Sequence, residues 1–96
     1  MIENMMEGIK RSMHLSDEDI DIEMEIMNDI LSAFEDMERV GVAHSAITTQ
    51  RPLVTRCVEM YVKWQHGYLG EPERFQKNYE KLRDALSMGS DYNAET

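Results

Sequence analysis

The stretch PLVTRCVEMYVKWQHGYL, residues 52–69, decides the fold. It is the most apolar and most aromatic part of the chain. Wound as a helix, it puts Leu53, Cys57, Met60 and Trp64 on one face and Val54, Val58, Tyr61 and Tyr68 on a second. A surface helix has one apolar stripe and one polar face. Here apolar positions take up most of the circumference, and only Thr55, Arg56, Glu59, Lys63 and Gln65 interrupt them. Such a helix is expected to be covered on one side by its own domain and on another by a second copy of the chain.

The flanks continue in helical register. Pro52 suits a first helical position, where its missing N–H costs nothing. Gly70 marks the expected end of this central helix, with Gly67 as a kink just before it. Glu71-Pro72 restarts the chain, and Phe75, Tyr79, Leu82 and Leu86 repeat at helical spacing. Arg74, Lys77, Glu80, Lys81 and Arg83 are assigned to the outer side, so the last helix packs through one narrow seam. The short link at Gly70-Glu71 folds it back on the central helix. Upstream, residues 42–51, VAHSAITTQR, have no helical stripe and read as a connecting loop.

Before that loop comes the most amphipathic stretch. Ser16 is read as its N-cap, with Asp17, Glu18 and Asp19 at the positive end of the helix dipole. Ile20, Met24, Met27, Leu31 and Phe34 step 4-3-4-3 as the expected buried stripe, widened by Ile30 and Met37. Asp21, Glu25, Asn28, Asp29, Glu35 and Glu38 form the expected outer face. Gly41 is a natural stop. At the N-terminus, Ile2, Met5, Met6, Ile9 and Met13 give a short helix that Gly8 weakens. The reading is all-α: one domain over residues 1–88 and a flexible tail over 89–96, in which Tyr92 is the only large side chain and a potential anchor for a partner.

Composition narrows the function. The 96 residues suffice for one modest core. No apolar run approaches the roughly 20 residues of a membrane span, and the acidic start lacks the features of a secretory leader. A single cysteine, Cys57, leaves no internal disulfide and agrees with a reducing, cytoplasmic setting. The net charge of −9 is uneven. Residues 1–40 hold twelve acids against Lys10, Arg11 and Arg39, whereas residues 41–70 hold Arg51, Arg56 and Lys63 against Glu59. Such a chain is poorly suited to gripping DNA phosphates, though its negative walls would let a duplex slide past.

Catalytic motifs are lacking. Asp17, Asp19 and Asp21 open like a calcium loop, but Ile22 and Asn28 stand where its glycine and bidentate glutamate belong. His14, His44 and His66 are not in metal-ligand spacing. Cys57 reads as a small core residue rather than a nucleophile. No metal, cofactor or enzymatic reaction is expected. The nine methionines fall mostly on helical stripes, and Tyr61, Trp64 and Tyr68 are the expected subunit or partner contacts, since aromatic rings are enriched at interfaces.

Taken together, EGIKRSMHL, SDEDIDIEMEIMNDIL, RPLVTRCVEMYVKWQHG and PERFQKNYEKLRDAL resemble the small head–tail connector (adaptor, or head-completion) proteins of tailed bacteriophages and prophages, often labelled possible DNA-packaging proteins. The resemblance spans roughly residues 7–93. It implies a small helical bundle with two longer antiparallel helices. The implied role is structural: a homo-oligomeric ring in the virion neck, between the portal protein and a downstream connector or tail-completion protein, assembled in the host cytoplasm. DNA would be passing cargo, and no membrane would be involved. By resemblance, the loop with His44, Thr48, Gln50 and Arg51 faces the channel or a neighbouring ring, and Tyr92 and Asn93 dock a partner. The alternatives are a small helical dimeric regulatory or adaptor protein and a DNA-packaging accessory.

Overall fold

Helices form wherever apolar residues recur every three or four positions, and they stop where glycine or a change of pattern frees the chain. The structure, a computed structural model, describes residues 2–15, 19–89 and 92. It is all-α, with no strand among the described residues. In chain order the helices are α1 (Ile2–Ser12), α2 (Ile20–Arg39), α3 (His44–Thr48), α4 (Pro52–Gln65) and α5 (Pro72–Met88), with a 3-10 turn at Tyr68–Gly70 between the last two.

Helix α4 is the centre. Val54, Cys57, Val58 and Val62 are completely buried, and α2, α5 and α1 all pack on it. Cross-contacts fix the directions. Asp29 and Ser32 of α2 meet His66 and Tyr61 at the far end of α4, so the two helices run antiparallel. The Cys57 thiol points at the Tyr79 carbonyl, 3.8 Å away, and Tyr68 stacks near Phe75, so α4 and α5 are antiparallel too. Tyr79 is the largest fully buried side chain.

Several expectations need correction. The central helix ends at Gln65, not Leu69: Gly67 adopts the left-handed conformation (φ 60°) directly after the His66 cap and terminates it. Leu69 follows at φ 58°, an uncommon conformation for a residue with a Cβ. The loop of residues 42–51 closes on itself as α3, because Val42, Ala46 and Ile47 bury one small apolar patch. The cap of α2 is Asp19, whose carboxylate accepts from the Asp21 and Ile22 amides at 2.9 and 3.4 Å. Ser16 and the carboxylates of Asp17 and Glu18 lie outside the described residues. Met5, Met6, Ile9 and Met13 of the N-terminal segment are buried as their spacing predicts. Lys10 is buried among them, paired to Glu23 of α2 at 2.6 Å.

The largest correction concerns α2. Its buried line is Ile26, Ile30, Ala33 and Met37. The stripe expected inside is instead turned outward: Ile20, Met24 and Leu31 are exposed, and Met27 and Phe34 are half-buried. Two polar residues are turned inward in exchange. Asp29 faces His66, and Asp36 receives the Tyr79 hydroxyl at 2.7 Å and Arg83 at 2.8 Å, with Arg39 alongside at 2.7 Å. Arg83, expected outside, is thus folded across the seam between α2 and α5.

Burial alone would raise the Asp36 carboxyl. The hydrogen bonds from Tyr79, Arg83 and Arg39 outweigh it and hold the group at about 2, against an ordinary 3.8. A carboxyl whose folded pKa is depressed stabilises the fold above its unfolded value and loses that contribution as pH falls through the folded one. Wild type should therefore lose about 1–2 kcal/mol of unfolding free energy between pH 4 and pH 2 through this group. In urea titrations, the gap between wild type and Asp36→Asn should be wide at pH 7 and close as pH approaches 2.

Candidate interaction surface

Three surfaces carry the residues that the sequence marks. The first is aromatic. Tyr61 and Trp64 stand one turn apart on α4 and meet edge to face, with centroids 5.4 Å apart. Both rings lean on buried Tyr79, at 5.1 and 6.1 Å. Tyr68 sits apart from them, 5.9 Å from Phe75, and its hydroxyl reaches the Ser12 carbonyl of α1 at 3.4 Å. All three marked rings are half-buried. They are held by their own chain on one side and open to solvent on the other. Each ring pair adds about 0.5–1.5 kcal/mol beyond the area it buries, so these side chains support the fold as well as face outward.

The second surface is the α3 region. His44 and Thr48 are exposed, and Gln50 and Arg51 are half-buried. The His44 ring pairs with Glu38 at the end of α2. Gln50 takes a left-handed backbone (φ 52°) to turn the chain into α4. The Arg51 guanidinium lies 4.1 Å over the Tyr92 ring, and the Ala43 amide donates to the Tyr92 carbonyl at 2.6 Å. Tyr92, assigned to a flexible tail, is therefore held against the bundle; cation–π stacking and a backbone hydrogen bond both favour that position. Asn93 lies outside the described residues. Structure thus brings Arg51 and Tyr92 together, which no sequence spacing indicates, and leaves both apart from the aromatic rings on α4.

The third surface is the stripe of α2 that spacing alone places in the core. Ile20, Met24 and Leu31 are 68%, 60% and 47% exposed along one side of α2, with Met27 between them. Asp21, Glu25, Asn28 and Glu35, all exposed, run beside this line. The 4-3-4-3 spacing was the available signal. It identifies an apolar stripe but not which of two apolar stripes on one helix meets the core.

Polar chemistry is sparse. A shallow cleft of about 340 Å³ is lined by Glu25, Asn28, Asp29, Gln65 and His66. His66 Nε2 stands 3.0 Å from Asp29 Oδ2 but is poorly directed for a hydrogen bond, so the contact is mainly electrostatic when the ring is protonated. Burial raises the Asp29 carboxyl above its ordinary range, against the pull of His66. No group of three or more His, Cys, Asp or Glu among the described residues is arranged to hold a metal ion. No helix among them is long and apolar enough to cross a membrane. No family model, curated protein or solved structure matches the chain.

Cys57 is fully buried, and burial pushes its thiol up to about 12. A thiol that is neither exposed nor ionised is a poor nucleophile. In the native chain, maleimide labelling of Cys57 should be slower than in urea-unfolded chain by the ratio of folded to unfolded populations. Labelling at the unfolded rate without denaturant would show the α4–α5 seam to be open.

Proposed function

We propose that this chain is a structural subunit of a tailed-phage or prophage head–tail connector, assembling as a ring between the portal and the tail. Ring subunits use two different faces to contact their neighbours. The observation that carries the reading is the second apolar face of α2, which the fold leaves uncovered beside a core that is already complete. The half-open aromatic rings of α4 lie on another part of the surface and supply a second contact. The resemblance noted in the sequence points to the same class, and the acidic balance suits a protein that encloses a duplex without adhering to it.

The half-open rings of Tyr61 and Trp64 favour one other reading, a helical regulatory protein that forms a two-fold dimer through the central helix α4. The two differ in symmetry and in partner.

Portal, capsid and tail genes are expected beside the coding sequence. The purified chain, mixed with the portal protein from that locus, should form rings coaxial with the portal by negative-stain electron microscopy. A discrete two-fold dimer that ignores the portal would favour the regulatory reading. Duplex affinity that falls steeply with salt would favour a packaging accessory.

A further inference from the structure

The uncovered side of α2 has a distinct electrostatic character. From Ile20 to Glu38 the helix contains no lysine or arginine, and Asp21, Glu25 and Glu35 flank the exposed apolar line. A two-fold pairing of this face with itself would set acid beside acid along the whole contact, which is destabilising. The matching surface has to be apolar with basic flanks.

The chain carries one. Beside the residues of α4 that face the core, Leu53, Met60 and Trp64 form a partly exposed apolar edge, and Arg56 and Lys63 lie next to it on the outer side. Leu53 is 41% exposed and Arg56 is exposed; Met60, Lys63 and Trp64 are half-buried. Glu59 is the only acid in α4, and it is already engaged by Lys63 at 2.9 Å. This face is apolar along its middle and net positive. It lies on a different helix from the acidic stripe, so a contact between the two joins unlike surfaces of two copies.

We propose that the acidic apolar face of α2 in one copy docks on the basic apolar face of α4 in the next, head to tail. This rests on the self-assembly reading above and names the surfaces that perform it. Met24, Met27 and Leu31 would meet Leu53, Met60 and Trp64, with Arg56 set against the acidic flank that carries Glu25 and Glu35. A heterologous contact of this kind repeats without pairing off, and it closes into a ring when the rotation between copies allows.

A charge-exchange experiment on the full chain tests this. One variant carries Glu25→Lys and Glu35→Lys; the other carries Arg56→Glu. Circular dichroism checks that both keep wild-type helicity, as expected for exposed positions. Sedimentation velocity over a concentration series at low salt, with chemical cross-linking of the same samples, reads the assembly. Wild type should associate. Each variant alone should be monomeric, because its two faces now carry the same sign. An equimolar mixture should regain assembly, since every contact in an alternating array is again between opposite charges. If Arg56→Glu associates like wild type, or if the mixture remains monomeric, the surfaces are wrongly assigned, and the ring reading survives on other contacts. If wild type forms no multimer alone or with the portal, both fall together.

Discussion

Asp36 is the point at which α2 and α5 are tied. It lies on α2, yet the Tyr79 hydroxyl and the Arg83 guanidinium reach it from α5, over the Cys57 end of α4. A carboxylate with this many donors is held ionised, and its charge in turn holds the Tyr79 ring in the middle of the core. Around that ring, Tyr61 and Trp64 take their edge-on positions. The rotation of α2 follows from the same contact. With Asp36 turned toward α5, Ile26, Ile30, Ala33 and Met37 face α4, and Ile20, Met24 and Leu31 are left outside.

The outward apolar stripe is thus a consequence of the inward polar residue. Separating this half-buried carboxylate from its donors would forfeit their charge-assisted hydrogen bonds, which are stronger than neutral ones. Exposing three apolar side chains is tolerated by comparison, and a partner that covers them recovers that free energy. The small bundle in this way keeps a specific core while leaving an apolar line exposed. The aromatic rings of α4 make a similar compromise. They are anchored inside by Tyr79 and partly open outside.

Cys57 and two of the histidines are taken up by contacts within the bundle. Cys57 is sealed by the Tyr79 carbonyl and the surrounding valines, and its acidity is suppressed by burial. His44 and His66 each face a single carboxylate of α2, Glu38 at its C-terminal end and Asp29 at its middle. The strained backbone positions His14, Gln50 and Leu69 fall at turns between helices, where they redirect the chain.

Helical periodicity and the stop signal at Gly41 are local properties, so the sequence by itself determined the all-α class, the central place of the helix that opens at Pro52 and the seam of Phe75, Tyr79, Leu82 and Leu86, of which Leu82 is half-buried. The end of the central helix at Gln65 rather than Leu69 was decided by the left-handed turn at Gly67. It also determined the separation of an acidic first half from a basic middle. Which apolar stripe of α2 goes inside was decided only in three dimensions, because Ile20-Met24-Leu31 and Ile26-Ile30-Met37 have equivalent spacing. Their difference lies in whether Asp36 and Lys10 can reach Tyr79, Arg83 and Glu23, partners far away along the chain. Tertiary structure likewise folded α3 from a segment without a stripe and placed Tyr92 under Arg51. Those contacts join short apolar or charged groups that no periodic pattern links, so they exist only once the bundle has brought them together.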